Sequence, residues 1–137
     1  MSRDASKLKV FQLADELVFD VYRVTRGFPA EERYGLQGQL RRAAVSVPTN
    51  IVEGCARNSE KDYLHFVDVA IASASEVRYL IGLSSRLGFL EMDDQGPLTQ
   101  KYDELIRSLQ KLLSSIRNPK PKACSPQSAV RSLKPEV

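Results

Sequence analysis

Apolar residues recur along the chain at steps of three and four, in four separate stretches. The first stripe is Val10, Ala14, Leu17, Val21 and Val24, widened by Phe11, Val18 and Phe28. Such steps place side chains on one face of an α-helix, and Gly27 and Pro29 supply its stop. A second stripe, Leu36, Leu40, Ala43 and Val47, carries on past Pro48 to Ile51. The third runs from about Ser59 to Leu87, with Ser59 as N-cap, Asp62 three positions on and Gly88 as C-cap. The fourth is the most regular: Leu98, Tyr102, Leu105, Ile106, Leu109, Leu112, Leu113 and Ile116. No alternating strand pattern and no Asn-Gly or Asp-Gly hairpin signal interrupts them. The connections, around residues 27–34, 57–59 and 88–96, are short, which makes consecutive helices antiparallel neighbours. The pattern predicts an all-α protein, an antiparallel up-down-up-down four-helix bundle over residues 1–117. From 118 to 137 the text changes to "NPKPKACSPQSAVRSLKPEV", rich in proline and poor in large apolar residues, and predicts a disordered tail.

One stretch contradicts its surroundings. "RRAAVSVPTNIVEG", residues 41–54, sets Pro48 inside the second helix. An internal proline costs about 3 kcal/mol, because it removes a hydrogen bond and crowds the carbonyl four residues back. The apolar seam continues beyond it, so one kinked helix is expected rather than two. Asn50 falls beside that seam, where a polar group must be paired and can set register between subunits. Gly54 continues the seam, while Arg42, Ser46, Thr49 and Glu53 form a polar stripe. Arg41 and Arg42 suit a solvated face of weak ion pairs or, alternatively, phosphate contact. In the third helix, small residues including Ala70 and Ala74 accompany an apolar arc wider than one stripe. That arc fits contact with another subunit, or a central helix buried within one molecule.

Charge alters the picture little. The formal net charge of +3 resides entirely in the tail, in Lys120, Lys122, Arg131 and Lys134 against Glu136, and residues 1–117 are formally neutral. A basic tail can touch phosphates; the body has no such argument. No apolar run approaches the roughly 18 residues of a membrane span. The start carries no secretory pattern, and Cys55 and Cys124 read as reduced thiols, so a cytoplasmic location is expected. Enzyme signatures are missing. His65 has no second histidine to form a metal face, Cys55 has no sequence-adjacent base, and no phosphate-gripping glycine motif or nucleophile elbow appears. No cofactor and no catalytic activity are expected.

The run "FPAEERYGLQGQLRRAAVSVPTNIVEG", residues 28–54, with Ala70, Ser73, Glu76 and "LGFL" at 87–90, resembles the bacterial four-helix-bundle family of 23S rRNA intervening-sequence proteins. That family has relatives among the accessory variability proteins of diversity-generating retroelements. The resemblance spans about residues 8–117. It implies a cytoplasmic bundle assembled as a ring-like homopentamer, without enzymatic activity, and in the retroelement branch binding to nucleic acid and a reverse transcriptase through basic surfaces. Two departures stand out: Phe11 occupies a position where relatives commonly carry Trp, and Arg78 one where they carry an acid. The expectation is a non-enzymatic homo-oligomer that engages RNA or an RNA-bound protein. Its candidate contacts are Arg41, Arg42, Arg57 and Lys61, and Pro48, Asn50, Glu53, Gly54, Ala70 and Ala74 are the candidate structural and assembly residues. The alternative is a protein-binding scaffold without nucleic-acid affinity, using the third helix as its interface.

Overall fold

A computed structural model describes residues 3–119. Four helices make up the fold: α1 (Lys9–Thr25), α2 (Leu36–Cys55), α3 (Glu60–Arg86) and α4 (Met92–Arg117). Single 3-10 turns at Ala5–Lys7 and Ala30–Glu32 precede α1 and α2, and the described residues contain no strand. The expected tail lies outside the described residues except for Asn118 and Pro119.

Local chemistry sets the helix ends. Ser59 Oγ accepts the N–H of Asp62 at 3.1 Å, opening α3. At its other end Gly88 adopts φ +82°, and the N–H groups of Gly88 and Phe89 reach back to the carbonyls of Ser85 and Ser84. That pair of bonds is a Schellman cap, which a left-handed glycine allows at no steric cost. Before α2, Glu32 folds over so that its Oε1 accepts the N–H of Leu36 at 2.9 Å.

Each helix packs on its sequence neighbours, and α4 returns to α1, closing a ring of four. Cross-helix bonds show the directions. On α1 and α2, Tyr22 meets Arg41 and Thr25 meets Gln37; on α2 and α3, Gln39 meets Glu76 and Ser46 meets Ser73. On α3 and α4, Asp68 meets Arg117 and Arg78 meets Asp103, while Asp20 and Arg23 of α1 meet Lys101 and Asp94 of α4. In every pair rising numbers face falling ones, the signature of antiparallel neighbours. Arg78 is therefore accommodated inside the chain by Asp103. The core holds most of the expected stripe residues, with Leu17, Leu40, Val47, Val77, Leu105 and Leu109 fully enclosed, while Phe11, Val18, Leu112 and Ile116 are half-buried.

Two expectations change. The fourth helix begins at Met92, well before the stripe that announces it, and Pro97 lies inside it. Its first turns carry Met92, Gly96 and Pro97, all exposed, so no apolar period marks them. Asp93 and Asp94 favour the start instead, by facing the positive end of the helix dipole. Most of the wide apolar arc of α3 is buried within the molecule, because α3 packs against both α2 and α4 and buries Val67, Ala70, Ala74, Val77, Leu80 and Ile81, leaving Phe66 and Ile71 half-buried. α2 runs unbroken through Pro48, as the continuous seam requires.

Candidate functional site

The four candidate cations do not converge. Arg41 donates from Nε to Thr25 Oγ1 at 2.8 Å and from a terminal nitrogen to the Tyr22 carbonyl at 3.2 Å, and its guanidinium lies 4.4 Å from the Tyr22 ring centre. It thereby satisfies the end of α1, where carbonyls lack helical partners. Arg57 pairs with Glu53 at 3.5 Å and lies over Phe66. Arg42 and Lys61 are exposed and take part in no ion pair among the described residues. Lys61 borders a shallow recess with Glu60, Leu64, His65, Asp68 and Arg117, of mixed charge. Arg42 and the end of α2 at Cys55, two residues before Arg57, are separated by about 20 Å of helical rise.

Of the candidate structural residues, Ala70, Ala74, Gly54 and Asn50 make contacts within the single chain, while Glu53 is exposed. Ala70 and Ala74 are wholly buried, and Gly54 is buried against α3. A Cβ on Gly54 would stand 3.0 Å from Phe66 Cβ and 3.2 Å from Tyr63 Cδ1. Asn50 donates from Nδ2 to the Ser46 carbonyl at 2.7 Å and to Ser46 Oγ at 3.0 Å, and Ser46 Oγ shares a 2.8 Å hydrogen bond with Ser73 Oγ of α3. The asparagine thus belongs to a polar cluster that pins α2 to α3 within one molecule. Thr49 donates to the Val45 carbonyl. Neither side chain serves Ala44, whose carbonyl loses its partner to Pro48; they strengthen the next two carbonyls instead.

Sequence reasoning passed over the most distinctive surface. Phe11, Asp15 and Val18 of α1 and Val45, Pro48, Thr49, Val52, Glu53 and Ala56 of α2 line an open groove of about 570 Å³ between the helices. Val45 and Val52 in its wall are 38% and 47% exposed, and further along α1 Phe19 and Tyr22 are 70% and 40% exposed. Large apolar side chains left this open on adjacent helices mark an interaction surface more often than a solvated one. The signal was in the text: positions 11, 15, 18 and 22, and 45, 49, 52 and 56, form second helical stripes beside the buried ones. Phe11 and Val18 merged with the core stripe, and Val45 and Val52 belonged to none.

Burial pushes the Cys55 thiol up, against a smaller lowering by Arg3, which disfavours the reactive thiolate. Tyr63 and Tyr102 are likewise pushed up by burial. No group of three or more His, Cys, Asp or Glu among the described residues is placed to hold a metal ion. No helix of the described residues is long and apolar enough to cross a membrane.

Comparisons with known proteins agree with this architecture. The model of the family described as 23S rRNA-intervening sequence protein matches residues 6–111. A crystal structure of a protein of unknown function from the S23 ribosomal protein family of Bacteroides thetaiotaomicron superposes with a TM-score of 0.71. It is 18% identical, over 77% of this chain and 95% of that one, a likeness that concerns the fold alone. No curated protein matches.

Proposed function

The chain belongs to the 23S rRNA-intervening sequence protein family, and from that membership we propose that it is a non-enzymatic, self-assembling protein of the bacterial cytoplasm. Identical copies join into a closed ring of five, and the assembly engages RNA. The observation that carries self-assembly is the apolar groove between α1 and α2, which a single chain leaves exposed to water. Leu87 and Met92, 53% and 75% exposed, stand around the α3–α4 turn, away from that groove. Contact between two unlike surfaces is heterologous, and a heterologous contact that closes makes a ring.

Light scattering tests the assembly. A ring of five copies of a 15.3 kDa chain has a mass of about 77 kDa, and Val45→Asp with Val52→Asp is expected to return it to the single-chain mass. A native mass of 15.3 kDa would overturn the reading. The groove also favours a second reading, a scaffold that binds another protein there and has no affinity for nucleic acid. Filter binding with structured RNA at moderate salt separates the two.

A further inference from the structure

Five guanidinium groups lie over aromatic rings among the described residues, and they divide by place and by exposure. Near the α2–α3 turn, Arg3 covers Tyr63 and Arg57 covers Phe66. Tyr63 is buried and Phe66 half-buried, so these pairs seal the end of the core. The other three gather at the opposite end. Arg41 lies 4.4 Å from the ring of Tyr22, Arg33 5.3 Å from Tyr34 and Arg86 6.0 Å from Tyr79. Their rings are 40%, 83% and 60% exposed. Nothing in the fold requires that exposure, least of all for Tyr34.

The helix pairings put the three at one end of the bundle. Arg41 ties Tyr22 of α1 to α2, and Tyr34 lies in the turn directly before α2. The hydrogen bond from Gln39 to Glu76 sets α3 beside the first turns of α2, with Tyr79 three residues further along α3. Arg26 and Arg42 are exposed at the same end and make no ion pair among the described residues. Glu32 accepts the Leu36 N–H and Glu76 accepts from Gln39, and both keep their charge. Glu31 and Glu76, with Glu91 and Asp93 on the adjoining α3–α4 turn, are exposed acids that oppose an anion here, Glu31 lying three residues from Tyr34.

Resting on the RNA reading above, we propose that this end of the bundle is a stacking platform for single-stranded RNA. Unpaired bases lie on Tyr34 and Tyr79, and Arg26 and Arg42 hold the phosphates between them. Exposed aromatic faces interleaved with free cations are the chemistry of single-strand binding, because every base has a face to stack and every linkage a charge to neutralise. A duplex hides its base faces and gains only the charge term.

Fluorescence anisotropy of the full chain with a labelled oligouridine and with an RNA duplex, across a salt series, tests this. The oligouridine is expected to bind in preference to the duplex. Tyr34→Ala and Tyr79→Ala are each expected to weaken it roughly tenfold without altering the salt slope. Tyr34→Phe and Tyr79→Phe, which keep the ring, retain the affinity. Arg42→Gln lowers the salt slope by about one unit, and Glu31→Gln tightens binding. Duplex bound as tightly as the single strand, with the alanine variants unaffected, overturns the platform and leaves the RNA reading standing. No binding to either RNA by a chain that still assembles overturns both. Circular dichroism checks that these surface variants remain folded.

Discussion

Tyr102→Phe is expected to stabilise the protein. Tyr102 projects from α4 into the core, fully enclosed, and its hydroxyl is the one buried side-chain nitrogen or oxygen without a hydrogen-bond partner among the described residues. Leaving a hydroxyl dry and unpaired costs about 1–3 kcal/mol. Phenylalanine keeps the ring and removes that cost, while the space vacated by one oxygen, smaller than a methyl group, returns about 1 kcal/mol at most. The expected net gain is about 1 kcal/mol, or roughly 4 °C in Tm for a domain of this size. The effect also depends on pH. Burial, reinforced by the Asp20 charge, pushes the Tyr102 hydroxyl well above the ordinary value of 10.0. The unfolded chain therefore loses this proton first as pH rises. Stability linked to the proton is complete below about pH 10 and is lost progressively above it. Wild type should weaken in that alkaline range faster than the phenylalanine variant, so the variant's advantage widens. Urea denaturation followed by circular dichroism at neutral and alkaline pH, at matched protein concentration, measures both effects. A variant less stable than wild type by 1 kcal/mol or more at neutral pH would show that the hydroxyl is paired, for instance by an enclosed water. Parallel pH profiles would refute the ionisation argument.

Gly88→Ala should cost about 1 kcal/mol in urea denaturation, since its φ of +82° is strained for any residue with a Cβ. Arg41→Gln removes bonds to Thr25 and Tyr22 and should cost about 1–2 kcal/mol while leaving the salt slope of RNA binding unchanged. A reduced slope would mean that Arg41 contacts phosphate as well. Asn50→Ala should lose about 1 kcal/mol with the mass in light scattering unaltered, because its bonds close on Ser46 within the chain. A changed mass would restore a role between subunits.

How far the sequence could be read depended on whether a residue's partner lay close along the chain. Ser59 and Gly88 act through bonds spanning three to five residues, so their roles were visible in the text. Arg41 was different. Its partners Tyr22 and Thr25 lie 19 and 16 residues away, and only the packing of α1 on α2 turns a candidate phosphate ligand into a helix cap. The same holds for Asn50, whose polar cluster exists because α3 brings Ser73 to Ser46.

Helical periodicity by itself determined the class of fold and almost every buried residue, because an α-helix converts spacing along the chain directly into a face in space. Which apolar faces stay open is another matter. That depends on where around each helix its two neighbours lie. α3 buries most of its wide arc against α2 and α4, while the outer seam of α1 and α2 meets no third helix among the described residues and leaves Phe11, Val18, Val45 and Val52 around a groove. Locating neighbours requires the helices to be arranged in space, and only the tertiary structure does that.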